Sequence, residues 1–344
     1  SRYWQRDSFA FASISVFVVQ PAAVTGVGAW PGIDVHEVAV TIRDLCPDFP
    51  HLAELPERGP GAEMIGRTMG LISQVANDFS VSTVPMGWRL TSARGKDMLR
   101  AASFMSQDLD EIQEVYEGYS GDFKIQVVGP WTLAASVETR SGEMLLRDLG
   151  AVKDLTQALI TAVERHIADV SRRLPQARIA VQFDEPLLRD VLRGSVPTQS
   201  GWSAYSAVEP ALVGSTLTSI RNSHSGITIL HSCADEVPFD LIRQAGISAV
   251  SYDVALVGDK ATDFLGEQID SGGFVILGIM PTTTARAVAG VRRLGGRIGY
   301  SDEDWSTHIL LSPPCDLIDM PLSQAREIME SLSEVSRALV EVDQ

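Results

Sequence analysis

The chain has 344 residues, 45% of them hydrophobic and 21% charged, with 28 basic against 44 acidic side chains and a formal net charge of −16. So much apolar material supports a large core and excludes global disorder, and the negative field repels phosphate backbones and anionic lipid, which argues against nucleic-acid and membrane-surface roles. Three cysteines are too few for a disulfide framework and read as free thiols of a reducing, cytoplasmic compartment, available for packing or metal.

Arg2 and Arg6 ahead of an apolar run at 9–19, followed by Pro21, Ala22 and Ala23, loosely imitate a secretory leader. Eleven residues with two serines are too few to span a bilayer. Residues 1–23 therefore read as an extension or first strand ahead of a single domain over 24–344. Within that domain short apolar runs alternate with longer amphipathic stretches. The run 25–30 closes at Pro31-Gly32, and Asp34 then caps a helix to about Cys46, with Val35, Val38, Ile42 and Leu45 at helical spacing. A second short strand is predicted at 51–55, a helix at 61–76, and two helical stretches near 95–105 and 107–118. Six clearer strands follow, at 123–128, 178–183, 227–230, 248–252, 274–277 and 309–311. Amphipathic helices fill the remainder, at about 150–174, 206–222, 235–245, 258–271, 284–296 and 322–341. Eight βα units are what a single (β/α)8 TIM barrel requires. An open doubly wound sheet is the alternative, weakened by the lack of a glycine-rich phosphate fingerprint after the first strand.

In a parallel barrel the residues just past the strand ends converge on one mouth. Here those positions carry Glu54, Asp184, His231, Cys233, Asp253 and Cys315. His231 and Cys233 lie two residues apart at a strand end, so imidazole and thiolate can face one ion. With Cys315 and a carboxylate, Asp253 following the next strand, they offer nitrogen, two sulfurs and oxygen, a donor set suited to Zn2+. Cys46 falls on an apolar helical face and reads as core packing. Asp184-Glu185-Pro186 has two readings: a helix N-cap pair, which Pro186 favours, or an inward Asp184 that binds an ammonium group. Glu54 before Leu55-Pro56 has the same two readings. His36, His51, His166, His224 and His308 have no evident partner and read as structural or solvent-facing.

Gly28 after a strand, the run Phe183-Asp184-Glu185-Pro186-Leu187-Leu188-Arg189, His231-Ser232-Cys233 and Pro314-Cys315 together resemble the C-terminal catalytic domain of cobalamin-independent methionine synthases. The likeness runs from about Val24 to the end, in the order and spacing of the strand-end motifs, and is similar to the short members that lack the N-terminal barrel. It implies a barrel of the methionine synthase and uroporphyrinogen decarboxylase-like type. His231, Cys233 and Cys315 would be zinc ligands, with Asp253 where the family has a glutamate. Asp184 and Glu54 would serve catalysis by holding the ammonium of homocysteine, and the backbone of Val27, Gly28 and Ala29 would receive its carboxylate, Ala29 standing where the family has serine.

The methyl-donor side departs further. Ser136 replaces the family's stacking tryptophan, with Trp131 nearby; Ile279 replaces the histidine that protonates the leaving folate; Asp190 replaces a glutamate that contacts the pterin. A folate nitrogen needs that proton to leave, whereas a methylcorrinoid does not, so the resemblance implies homocysteine as acceptor and a methylcorrinoid or corrinoid protein rather than methyltetrahydrofolate as donor. The rival readings are a methyltransferase acting on another small thiol, a metal-free lyase like the porphyrinogen decarboxylases, and a non-catalytic zinc or amino-acid binding barrel.

Overall fold

A computed structural model describes residues 20–341, the side chains of Asp259 and Lys260 excepted. The strands in chain order are β1 (Val81–Val84), β2 (Gly87–Leu90), β3 (Asp122–Val128), β4 (Val137–Glu138), β5 (Arg178–Asp184), β6 (Thr228–Ser232), β7 (Ala249–Asp253), β8 (Phe274–Gly278) and β9 (Ile309–Ser312). Six of them form one parallel sheet in the order β3-β5-β6-β7-β8-β9, and β1, β2 and β4 make a small separate sheet. Each crossover between neighbouring sheet strands carries at least one helix, the arrangement that lets parallel strands bury both faces.

The two faces bury different things. On the outer face Phe183, Leu230, Val250 and Leu277 join the large core shared with the helices. On the inner face Ala180, Ile229, Ala249, Ile276 and Leu310 form a second, smaller core with Ala23 and Phe49. Ala23 and Phe49 come from before the first ladder strand, so the sheet curls until both of its edges meet the N-terminal chain. Strand alternation then carries the inner row upward through Lys124, Gln126 and Gln182 to Asp184, His231, Ser251 and Ser312 at the C-terminal ends. The inner face grades from apolar floor to polar mouth.

The strands expected at 25–30 and 51–55 are present only as single bridges. Val24 bridges Leu311 of β9, His51 bridges Lys124 of β3, and Ala29 bridges Glu54. Backbone bonds at these points, including Thr25 N to Leu311 O and Leu52 N to Lys124 O at 2.9 Å each, join both sheet edges to the same N-terminal stretch. Regular ladders fail there for a local reason. A Cβ on Gly26 would lie 2.3 Å from the His51 ring, and one on Gly28 would press on Gln126 at 3.0 Å. The glycines permit close approach of inner side chains at the expense of strand regularity.

The helices follow the sequence more closely. Asp34 accepts a hydrogen bond from Glu37 N and starts the helix Val35–Leu45, and Asp148 does the same for Leu149–Arg173. The two stretches expected near 95–105 and 107–118 are one helix, Lys96–Val115; Ser106 and Gln107 merely lie on its exposed side. The β1–β2 hairpin was not anticipated. Among the described residues no helix is long and apolar enough to cross a membrane. The segment resembling a leader lies outside the described residues.

Candidate metal centre and the pocket beside it

His231 sits at the end of β6 on the inner face. Register places it opposite Ser251 of β7, and its Nδ1 is 3.0 Å from Ser251 Oγ. That contact fixes the ring and leaves Nε2 buried with no hydrogen-bond partner. Cys233 follows one residue past the strand. Cys315 arrives from the loop after β9, which comes close because a Cβ at position 278 would lie 2.8 Å from Pro314 Cα and 2.6 Å from Tyr252 O. Gly278 is therefore what admits the cysteine-bearing loop. One ligand atom from each of His231, Cys233 and Cys315 lies within 4.8 Å of the other two. Bonds of about 2.0–2.3 Å in a tetrahedral site put ligand atoms about 3.5–4 Å apart, so a small inward shift would close the set.

The two thiols are coupled. The hydrogen bond with Cys315 holds Cys233 below its ordinary value, and the same contact pushes Cys315 up, opposed by His231. An imidazole nitrogen without a hydrogen-bond partner and two neighbouring thiols fit a soft divalent cation such as zinc. Asp253, the expected fourth ligand, is engaged elsewhere. Its Oδ1 accepts from Ala255 N at 2.7 Å and Leu256 N at 3.2 Å, capping the short helix Val254–Val257. A short carboxylate at that position satisfies its own helix start, and it does not join the three-residue cluster. The carboxylate nearest Cys315 Sγ is Asp316 Oδ2, 3.8 Å away.

Beside the cluster lies a group of buried acids. Asp184 pairs in register with His231 and is 7% exposed, while Glu54 is 4% exposed. Burial raises the Asp184 carboxyl, opposed by His231, by the Gln182 hydrogen bond and by Lys124. Burial also pushes Glu54 up to about 7, with Asp184 adding to the shift and Arg67 opposing it. Lys124, fully buried on β3, is brought down to about 8 by the same desolvation. Gln126 Nε2 donates to Leu52 O and to Glu54 Oε1, leaving its Oε1 buried without a donor. Lys124 spends its ammonium on Gly26 O, Val27 O and Gln182 Oε1, so these buried acids and the Gln126 oxygen are short of donors.

No protein-family model and no curated protein sequence matches this chain. Its structure is similar to that of a B12-independent methionine synthase from Shewanella sp. W3-18-1, solved in complex with selenomethionine. The TM-score is 0.59 at 10% identity, over 93% of this chain and 98% of that one. The chain has the fold of a B12-independent methionine synthase. A mandelate oxidase solved with benzoyl-formic acid overlays at a TM-score of 0.33 and 16% identity, over 67% of this chain and 60% of that one, too weak a likeness to carry an argument.

Within this methionine-synthase fold the adjacent acids at 184 and 185 point to opposite sides of the sheet. Glu185 is the cap, but for the neighbouring helix Pro130–Ser136: it accepts from Trp131 N at 3.0 Å and from Thr132 N and Oγ1 at 2.7 Å each. Asp184 faces the inside. Trp131 is 1% exposed and belongs to the outer core, so it offers no stacking face. Ser136 ends that helix, half-buried Ile279 donates its N–H to Ser312 O, and Asp190 accepts from Ser195 Oγ at 2.7 Å. Cys46 is in the core, its thiol pushed up to about 12 by burial. The sequence reading missed Lys124, Gln126, Gln182 and Ser251. Their signal was period-two polarity inside apolar strands, Lys124-x-Gln126 on β3 and Gln182-x-Asp184 on β5.

Proposed function

We propose that this chain is a zinc-dependent methyltransferase that moves a methyl group onto the thiol of homocysteine to give methionine. In this reading the bridged segments at 24–29 and 51–54 are the first two staves of a (β/α)8 barrel. The observation that carries it is the convergence of His231, Cys233 and Cys315 within 4.8 Å, with Asp184 in register beside the imidazole. Zinc held by these three residues would supply the Lewis acidity that keeps an alkyl thiol deprotonated near neutral pH while it remains nucleophilic.

The chain's own groups do the rest. Asp184, Glu54 and the unpartnered Gln126 Oε1 are acceptors for the substrate ammonium. The N–H groups of Val27, Gly28 and Ala29 have no acceptor among the described residues and suit its carboxylate. The substrate sulfur then points to the metal centre, and its lone pair forms the new S–CH3 bond as the donor–CH3 bond breaks. The electron pair of the broken bond stays with the donor. Ile279 offers no proton to a leaving folate nitrogen, which favours a methylcorrinoid, whose cobalt leaves as Co(I) without one.

Metal analysis of protein purified without chelator tests the centre: about one zinc per chain is expected, and a folded sample with no affinity for zinc overturns the reading. Parallel assays with homocysteine and either methylcobalamin or methyltetrahydrofolate test the donor, with turnover expected from methylcobalamin. Turnover with the folate alone would reverse the argument from Ile279. Zinc and homocysteine bound without turnover on either donor would leave the non-catalytic binding barrel.

A further inference from the structure

The geometry points to Lys124 as the positioning residue of the amino-acid pocket: one buried ammonium sets both the loop that receives the acceptor's carboxylate and the side chain that orients Asp184. The inference rests on the proposed amino-acid acceptor.

Lys124 Nζ donates to Gly26 O at 2.6 Å, to Val27 O at 3.1 Å and to Gln182 Oε1 at 2.5 Å. Its three protons are thereby matched to three acceptors. The first two bonds draw successive carbonyls to one point. No cis peptide occurs among the described residues, and a trans peptide holds its C=O and the following N–H antiparallel. The N–H groups of Val27 and Gly28 must then both face away from Lys124. Successive N–H groups turned to one side form an anion-binding concavity, and these two have no acceptor among the described residues. An extended strand would alternate its carbonyls and offer no such pair.

The third bond sets the other end of the clamp. With its Oε1 held by Lys124, Gln182 keeps Nε2 as its donor. That nitrogen donates to Asp184 Oδ1 at 2.7 Å and to Val27 O at 2.8 Å. Without the ammonium, the amide oxygen loses its buried donor, and Gln182 is held through Nε2 alone. Lys124 is thus coupled to the substrate ammonium through Gln182 and Asp184, and to the substrate carboxylate through the loop at 26–28. It contacts neither directly.

The test compares wild type with Lys124→Met for zinc content, for homocysteine affinity by calorimetry, and for the ratio of kcat/KM with homocysteine to that with 1-propanethiol. Propanethiol carries the sulfur but neither charged group. Lys124→Met should keep its zinc, bind homocysteine about 10–100-fold more weakly, as for losing hydrogen bonds to charged groups, and lose the preference for homocysteine by a similar factor. Unchanged affinity, or an equal fall with both thiols, overturns the inference. If Lys124→Met does not fold, Lys124→Gln decides by the same ratio, since it keeps a polar side chain in place of the ammonium but cannot reach all three acceptors: a collapsed ratio supports the inference, an intact one overturns it. A wild-type protein that binds no homocysteine would instead remove the proposed acceptor.

Discussion

The two clusters on the inner face of the sheet both call for positive charge, but of different kinds. At one end an imidazole nitrogen and two thiols face each other with nothing harder among them. At the other, Glu54 and Asp184 are buried within the electrostatic reach of Lys124, whose ammonium bonds are already assigned to Gly26, Val27 and Gln182. Soft sulfur and nitrogen donors select a transition metal, while oxygens select an ammonium or an alkaline cation. The contrast teaches that donor hardness, rather than total charge, sorts the ligands in so small a volume. Each end should fail separately when perturbed.

The largest separation is expected from Cys233→Ser. It removes a thiolate that nothing nearby replaces, so zinc should fall from about one equivalent to roughly a tenth of that or less, while homocysteine's ammonium partners stay in place. Atomic absorption after dialysis reads this directly. Asp184→Asn is the mirror experiment. Truncating one partner of a buried charged pair costs about 2–5 kcal/mol, so homocysteine affinity should drop by at least about 30-fold at unchanged zinc content. Loss of zinc in Asp184→Asn would break the division of labour between the ends. Ser251→Ala is subtler: the imidazole keeps its nitrogen but loses the contact that aims it. Removing such supporting partners costs about 10–100-fold in metal affinity, readable by chelator competition, with no change in homocysteine contacts.

The metal end was legible in the sequence and the acid end only half so, and the reason lies in backbone geometry. His231, Cys233 and Cys315 are rare residue types that stand at or within three residues of the ends of apolar strands, where they have few structural uses. Asp253 looks the same in sequence, but a carboxylate two residues ahead of free N–H groups can cap its own helix, and it does. Lys124 and Gln182 were hidden because a lysine in the middle of a strand normally signals a solvent-facing position. Only the curl of the sheet turns that face inward. The strands expected at 25–30 and 51–55 are not strands, because their glycines admit His51 and Gln126 so closely that single bridges replace ladders. Local pattern specifies where a residue lies on its strand; which side of the sheet becomes interior is decided by contacts far apart in the chain.

The smallest effect sharpens the comparison through pH. Glu54 is held up at about 7 from an ordinary value near 4.5, chiefly by burial. A folded-state value above the unfolded one means that the folded chain keeps a proton the unfolded chain has released. The stabilisation is therefore complete below about 4.5 and is lost as pH rises through 7. Glu54→Gln, which stays neutral, should flatten that part of the stability–pH curve by on the order of 1–2 kcal/mol, because Arg67 and local relaxation offset part of the burial. Chemical denaturation of wild type and variant at pH 5 and pH 8 measures the difference. Saturating homocysteine should also flatten the wild-type curve, since an ammonium beside Glu54 favours its charged form. If ligand leaves the wild-type curve unchanged while Glu54→Gln flattens it, the carboxyl is buried for the fold alone and the ammonium belongs to Asp184.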